Sequence, residues 1–158
     1  MIRPARPEDA PAIAAIWNAV IRDTLATFTT VEKDPDALAA QIAAGTPWWV
    51  VCINNTVQGH ATYGQFRGGP GYAHSMEHSI HLSNSTSGQG LGRALMARLE
   101  NHARSAGVHV LVAGVSSENP GGLAFHRRLG YRECGRVMQA GRKWDRWLDL
   151  VLMQKILT

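Results

Sequence analysis

Cysteine and long apolar segments are scarce in this sequence of 158 residues. The chain has 2 cysteines, Cys52 and Cys134, which stand far apart and outside any C-x-x-C motif, so no disulfide framework is indicated. The longest apolar runs, WWVVCI and VLVAGV, are far too short to cross a bilayer. The proline-rich start MIRPARPEDAP lacks the apolar core of a signal peptide. We therefore expect a cytoplasmic protein with no membrane partner.

Charge of either sign is also sparse. The 16 Lys+Arg residues exceed the 12 Asp+Glu residues by 4, which gives a formal net charge of +4. The basic residues are scattered and form no nucleic-acid-binding arm, so we expect no nucleic-acid partner. A mildly positive surface suits an anionic small ligand. The length predicts one domain that spans residues 1–158.

Hydrophobic periodicity predicts an α/β domain of the α+β type, in which helices cover a mixed, mostly antiparallel sheet. The predicted order is β-α-α-β-β-β-α-β-α-β-β. It includes a second helix over 34–44, a nearly continuous apolar central strand VHVLVAGV, and two final strands over 131–138 and 147–155. The strand–helix–strand unit from 76 to 115 should be right-handed, with two parallel strands.

His74, Glu77 and His78 form the pattern H-x-x-E-H, which occurs in zinc peptidases. In such an enzyme both histidines lie on one face of a helix and share the metal. Here apolar and polar residues alternate from position 76 onward, which indicates a strand. At ~3.3 Å per residue the two histidines would lie about 13 Å apart, too far to share a zinc ion. We expect no metal and assign both histidines to strand surface and pocket lining, with a zinc metallopeptidase as the alternative.

The segment SGQGLGR, residues 87–93, directly precedes a predicted helix. Alternating glycines let backbone N–H groups approach a ligand closely, and a helix N-terminus favours anions, so the segment suits a phosphate group. It lacks the Lys-Ser/Thr pair of a Walker loop, and its G-x-G-x-G spacing differs from the dinucleotide fingerprint. A tight strand-to-helix turn without a ligand is the alternative for this segment.

In that position the loop resembles the cofactor motif of the GNAT acyl-CoA N-acetyltransferases. The stretch ENPGGLAFHRRLGY resembles a second landmark of that family, an asparagine followed by a short helix and an L-G-F/Y ending. Within the family the chain is most similar to the phosphinothricin N-acetyltransferases. The similarity extends over IWNAVI near the start, FRGGPGYAHSMEHSIHL in the middle and GRKWDRWLDLVLMQ near the end.

This resemblance implies a sheet that splays between two parallel strands, with the acetyl-CoA thioester in the gap. Its cofactor-binding positions fall on the strand before the glycine loop, on the loop and on the asparagine after the central strand. They are the backbone of Ile80, His81 and Leu82, the loop residues Gly88, Gln89, Gly90, Leu91, Gly92 and Arg93, and Asn119.

The resemblance also assigns catalytic and acceptor-binding positions. Glu77 matches the family's candidate general base, which would take the proton of the acceptor amine. His126 is the candidate general acid for the leaving thiolate, since an imidazole titrates near ~6.5. The candidate acceptor-binding residues are Trp17, Asn18, Phe28, Arg67, Tyr72 and Trp147.

Some positions depart from the family pattern. Ser87 replaces the usual Arg or Gln of the glycine loop, Gly69 replaces an arginine, and His81 replaces a tyrosine. Many members of the family carry a tyrosine at the position of His126, although the phosphinothricin group has a histidine there. Gly122 stands where a serine is common. These departures leave the acceptor preference open.

The function that follows is acetyl transfer from acetyl-CoA to the amine of a small amino-acid-like compound of the phosphinothricin or methionine sulfoximine type. The expected reaction is a direct attack on the thioester with Glu77 as the base and without a metal. The alternatives are the zinc metallopeptidase above and an acyl-CoA-binding module without turnover. A homodimer is left open.

Overall fold

A computed structural model describes residues 1–86 and 88–158, so the departure at Ser87 lies outside the described residues. The helices and strands follow in the order β1 Ile2–Pro4, α1 Ala10–Asp23, α2 Pro35–Ala43, β2 Trp48–Ile53, β3 Thr56–Gln65, β4 Ser75–Leu82, α3 Leu91–Ser105, β5 Val110–Ser116, α4 Pro120–Arg128, β6 Arg132–Lys143 and β7 Arg146–Ile156. Short 3₁₀ turns lie at Pro7–Asp9, Pro70–Tyr72 and Asn84–Thr86. The predicted order of elements is confirmed.

The final hairpin is longer than predicted. Its turn is formed by Trp144 and Asp145, both with positive φ (51° and 56°), which is the backbone geometry of a tight two-residue hairpin loop. The pairing of β6 with β7 shifts register between Val137 and Gly141, around a positive φ of 54° at Gln139. The prediction ended the strand at 138, whereas residues 139–141 form an irregularity within a strand that continues to Lys143.

The strands form one seven-stranded sheet in the order β1-β2-β3-β4-β5-β7-β6. Alternate residues of β2 face opposite sides of this sheet. Trp49 and Val51 join the larger core under α3, while Trp48, Val50 and Cys52 join the smaller core under α1 and α2. Helices therefore cover both faces, as the mixed α/β prediction required.

The sheet opens between β4 and β5, its parallel pair. Their pairing covers Ser75 with Val110 through Glu77 with Val112, and then stops. β4 nevertheless continues along β3 as far as Leu82, and β5 continues along β7 as far as Ser116. The two strands therefore diverge beyond Glu77, which creates a gap with unpaired backbone groups on its edges.

No helix among the described residues is long and apolar enough to span a membrane.

Candidate active site

The backbone of β4 presents hydrogen-bonding groups to this gap. The amide of Ser83 donates to the carbonyl oxygen of Gln58, and the amide of Phe66 donates to that of Ser75. The odd-numbered residues of β4 are therefore those whose backbone groups bond to β3. The N–H and C=O groups of Ile80 and Leu82 consequently face the gap. The backbone of His81 faces β3 instead, so this residue can reach a ligand only through its side chain.

Three cavities follow the gap from one end to the other. A cavity of about 290 Å³ lies at Glu77, and one of about 630 Å³ lies against the glycine loop. A third, of about 270 Å³, shares Ile80 and Asn119 with the first cavity, and Leu82 and Phe125 with the second. Together they form a path that an elongated ligand could occupy. We call the first the acceptor cavity and the second the phosphate cavity.

The phosphate cavity is built around the start of α3. Gly88 and Gly90 have positive φ (80° and 75°), and Gly90 is the N-cap of the helix without a side-chain capping bond. In the described part of the chain the N-cap thus leaves the first amides of α3 available to a ligand, and a helix N-terminus favours an anion. Arg93 and Arg128 supply guanidinium groups to the cavity walls. Sequence reasoning missed Arg128, because only the fold brings α4 beside α3.

Two glycines allow close packing along this path. A Cβ at Gly92 would lie 3.0 Å from the Phe125 ring, tighter than most side-chain contacts, so glycine at position 92 lets α3 lie close to this ring. A Cβ at Gly122 would overlap the side chain of Asn119. That side chain caps α4 by accepting a 2.9 Å hydrogen bond from the amide of Gly122, while it also lines the acceptor cavity.

Glu77 lies where β4 and β5 separate, and its side chain lines the acceptor cavity. Partial burial raises the pKa of this carboxyl above its ordinary value. In the described part of the chain it takes part in no salt bridge, and no charged or hydrogen-bonding partner opposes the shift. An unpaired carboxylate with a raised pKa has the properties expected of a general base.

His78 and His126 form a buried pair whose Nε2 atoms lie 2.9 Å apart. His126 Nδ1 lies 2.8 Å from the carbonyl oxygen of Gly122 and must donate to it, since that oxygen only accepts. In a neutral pair His78 Nε2 therefore donates to His126 Nε2. Burial and the proximity of His126 lower the pKa of His78 to about 3, and burial lowers the pKa of His126. His78 lines the cavity as expected, but it is not on the strand surface.

His74 is separate from this pair. Its side chain is exposed, and its Nδ1 lies 2.8 Å from the carbonyl oxygen of Gly107. The pattern H-x-x-E-H occupies a strand and its preceding residue rather than one helix. Residues 1–86 and 88–158 hold no group of three or more His, Cys, Asp or Glu side chains that could bind a metal. The metallopeptidase interpretation is not supported.

One wall of the acceptor cavity is aromatic. Trp17 of α1 lies 5.0 Å from the ring of His81, between ring centroids, and 5.2 Å from that of His60. Burial and the charge of Lys33 lower the pKa of His81 to about 4, and burial with the proximity of His81 lowers that of His60 well below its ordinary value. Both imidazoles are therefore neutral at pH 7. Phe28 completes this wall, and a Cβ at Gly141 would overlap its ring.

The loop between α1 and α2 is fixed to the rest of the molecule by Lys143. This buried ammonium donates to the carbonyl oxygens of Ile21, Thr24 and Thr27 at 2.7, 2.7 and 3.0 Å. It caps the end of α1 and holds the segment that places Phe28 in the cavity. Sequence reasoning missed Lys143, because it lies more than a hundred positions from its partners along the chain.

The other predicted acceptor residues do not line the acceptor cavity. Arg67 and Tyr72 are exposed and contact each other, with the guanidinium carbon 5.8 Å from the ring centroid. Trp147 is 59% exposed, and Arg142 lies over its ring. The side chain of Asn18 is hydrogen-bonded to the backbone of Lys33. Lys33 itself lines the acceptor cavity, although the sequence prediction did not include it.

Comparison with known proteins agrees with this geometry. The sequence model of the Acetyltransferase (GNAT) family matches residues 14–131. This chain belongs to the GNAT acetyltransferase family. The GNAT resemblance given above is thereby confirmed, and so is the GNAT fold, with its mixed seven-stranded sheet and flanking helices.

Several relatives of this GNAT chain have assigned activities. It is 40% identical over 157 residues to the L-amino acid N-acyltransferase MnaT of Escherichia coli (strain K12), covering 97% of this chain and 91% of that protein. It is 37% identical to an L-methionine sulfoximine/L-methionine sulfone acetyltransferase of Salmonella typhimurium, covering 97% and 92%. Identity to a phosphinothricin N-acetyltransferase of Alcaligenes faecalis is 32%, covering 99% and 82%. The similarity to the phosphinothricin group is confirmed.

A solved structure extends the comparison to the cofactor. An acetyltransferase of Salmonella typhimurium, solved with its cofactor acetyl-CoA, superposes on this GNAT chain with a TM-score of 0.94. The two chains are 36% identical, and the match covers 100% of this chain and 94% of the other. The path of three cavities is compatible with the same kind of co-substrate, because it joins the glycine loop at the start of α3 to the carboxylate of Glu77 through a partly apolar gap.

Proposed function

We propose that this GNAT enzyme transfers the acetyl group of acetyl-CoA to the amine of a small amino-acid-like acceptor of the phosphinothricin or methionine sulfoximine type. The observation that carries the proposal is the opening of β4 from β5 at Glu77, which connects the phosphate cavity to the acceptor cavity. The assigned activities of the relatives above support the acceptor class.

The chain's residues would share the chemistry as follows. Glu77 takes the proton of the acceptor ammonium, directly or through one water, because only the neutral amine attacks a thioester. The backbone N–H groups of Ile80 and Leu82 bond the carbonyl oxygens of the pantetheine arm and acetyl group, and can stabilise the developing oxyanion. The amides after Gly90, with Arg93 and Arg128, bind the phosphates.

His126 remains the proposed general acid for the leaving thiolate. In the neutral pair its one proton is on Nδ1 and is donated to Gly122, so the role requires one further proton on the pair. The vacant position is Nδ1 of His78, which is buried and finds no hydrogen-bond partner in the described part of the chain. With a proton there, His126 would give its Nδ1 proton to the thiolate and take the Nε2 proton of His78 in return, which leaves the pair neutral. Loss of the pair should therefore affect the step that releases the thiol more than acceptor binding.

Further features belong to the same proposal. Residues 1–158 act as one acetyltransferase domain, without a catalytic metal and without a nucleic-acid or membrane partner. A cytoplasmic location agrees with the two free cysteines, one of them exposed. A homodimer stays open as the assembly.

The direct test of this function is thiol release from acetyl-CoA across a panel of amino acids and their sulfone, sulfoximine and phosphinate analogues, with and without EDTA. We expect acceptor-dependent release that EDTA leaves unchanged. Binding of acetyl-CoA without release in any arm would indicate the acyl-CoA-binding module instead. Activity that EDTA abolishes and zinc restores would indicate metal chemistry.

Substitution of Gly90 tests the phosphate cavity. Among residues 1–86 and 88–158, no atom beyond its chain neighbours lies within 4 Å of a Cβ built at Gly90, and aspartate and asparagine both tolerate positive φ. Gly90→Asp therefore adds a negative charge at little steric cost, and we expect the KM for acetyl-CoA to rise about 10-fold or more through repulsion. Gly90→Asn has nearly the same shape without the charge and should change this KM by much less. Equal effects of both variants in steady-state kinetics would show that the loop does not bind the phosphates.

A further inference from the structure

Lys33 supplies a positive charge to the acceptor cavity, opposite in sign to that of Glu77. We infer that Lys33 binds the carboxylate of the acceptor and so orients its amine toward Glu77. The inference rests on the proposed function and adds to it the residue that selects acceptors with an anionic group beside the amine.

The position of Lys33 is fixed by α1. The side chain of Asn18 accepts a 2.7 Å hydrogen bond from the amide of Lys33 and donates a 3.0 Å bond to its carbonyl oxygen. The next residue, Asp34, caps α2 through the amides of Asp36 and Ala37. The backbone at Lys33 is thus held from both sides, so the loop does not have to become ordered when the side chain binds a ligand.

The ammonium group is also held in place. Its Nζ lies 4.5 Å from the centroid of the Trp17 ring, a distance at which a cation is attracted to the aromatic face. Residues 1–86 and 88–158 contain no salt bridge to Lys33, whereas the nearby Glu32 is paired with Arg22. Its charge is therefore available to an anionic ligand beside an aromatic wall.

The other titratable groups of the cavity add no charge to those of Lys33 and Glu77. His78 and His81 are neutral at pH 7, since burial lowers the pKa of both, and burial lowers that of His126 as well. The cavity thus presents one cation, one anion and apolar or neutral walls among its described residues. A zwitterion matches this distribution, with its ammonium toward Glu77 and its carboxylate toward Lys33.

Arg67 is the competing candidate, because it is the basic residue among the acceptor-binding positions that the resemblance assigned. It lies on the exposed segment after β3 together with Tyr72, and neither residue lines the acceptor cavity. Lys33 is on its wall. The two assignments of the acceptor carboxylate, to Lys33 or to Arg67, therefore predict opposite results in a matched pair of variants.

The test compares an acceptor amino acid with its carboxamide, which keeps the amine and side chain but loses the negative charge. We expect Lys33→Met to lower the ratio of kcat/KM for the acid over that for the amide by about 10- to 100-fold, the value of a charged hydrogen bond. Lys33→Arg should retain most of the preference, and Arg67→Met should leave the ratio unchanged. The KM for acetyl-CoA should stay within about two-fold of wild type in all three variants. Loss of even one hydrogen bond to the cofactor would change this KM by more than that.

Each other outcome has a definite meaning. Equal losses for acid and amide in Lys33→Met would reduce Lys33 to a structural support of Trp17 and overturn the inference. A fall of the ratio in Arg67→Met with no change in Lys33→Met would assign the carboxylate to Arg67 instead. Wild-type enzyme without turnover of any amine would contradict the proposed function itself, whereas turnover with no preference for the acid contradicts only the role of Lys33.

Discussion

Replacement of Glu77 by glutamine should lower kcat at pH 7 by about 10²-fold or more, in line with the contribution of a positioned general base. Glutamine keeps the shape of the side chain and removes the proton acceptor. Because Glu77 makes no salt bridge in the described part of the chain, the substitution breaks no ion pair that would destabilise the fold. The KM for acetyl-CoA and the melting temperature should therefore barely change.

The dependence on pH distinguishes loss of a base from loss of a contact. At high pH the free acceptor is already deprotonated, so Glu77→Gln should recover part of its activity there. In the wild type the rising limb of kcat/KM should include a group whose pKa lies above that of an ordinary glutamate, because burial raises the pKa of Glu77. Glu133→Gln on β6, which removes an exposed carboxylate paired with Arg127, is the matched control and should be fully active. Normal turnover by Glu77→Gln at pH 7 would assign the base to water or to another side chain.

The second large effect concerns stability in acid. His60, His78 and His81 are buried and neutral, and burial lowers the pKa of each below its ordinary value of 6.5. The unfolded chain binds protons at these histidines as the pH falls through ~6.5, while the folded protein does not. The unfolded state therefore holds more protons in this range, and the stability of the fold decreases as the pH falls.

The expected size follows from proton linkage. Each such histidine contributes at most about 1.4 kcal/mol per pH unit, so three give a slope of up to about 4 kcal/mol per pH unit near pH 5. Glu77 offsets part of this slope, because its raised pKa lets the folded state bind a proton first. Up to roughly 8 kcal/mol would be lost between pH 7 and pH 4.5, comparable with the whole stability of a typical domain of about 5–15 kcal/mol. We expect acid unfolding to begin in this interval, before protonation of Asp9, whose pKa is lowered by its hydrogen bond to Arg3, can matter.

Denaturant unfolding at a series of pH values measures this slope. His60→Phe, which replaces one buried imidazole by an aromatic ring that does not titrate, should reduce the slope by about one proton. His109→Gln removes an exposed histidine and should leave it unchanged. A wild-type slope of less than one proton between pH 6 and pH 4.5 would show that these imidazoles are hydrated or paired in the native protein.

Local patterns predicted much of this molecule. The alternation around His78 and Ile80 indicated a strand, which the structure confirms, and a strand separates the two histidines of the pattern H-x-x-E-H. The glycines at 88, 90 and 92 marked the start of a helix, and the structure begins α3 at Leu91. These features depend on neighbours within a few positions, for which periodicity and backbone preference are sufficient.

The remainder depends on contacts between distant segments. Lys143 reaches the end of α1, and His126 meets His78 from a position 48 residues away. The local sequence around Lys143 or His126 does not predict either contact, because a lysine on a strand or a histidine on a helix is ordinarily a surface residue. Lys33 likewise belongs to the acceptor cavity only because Asn18 holds the loop against α1. The resemblance assigned Arg67 to acceptor binding because its segment matches one in the phosphinothricin group, whereas this segment is exposed and does not line the cavity.

We propose that acetyl transfer to an amine takes place in the gap beside Glu77. Its most direct measurement is the structure of the product, determined by mass spectrometry and NMR after incubation with acetyl-CoA and the preferred amino-acid-like acceptor. We expect one N-acetyl group on the α-amine for each thiol released, and a much lower rate of its formation in Glu77→Gln. Thiol release without an acetylated amine, or an acetyl group on another atom of the acceptor, would contradict it.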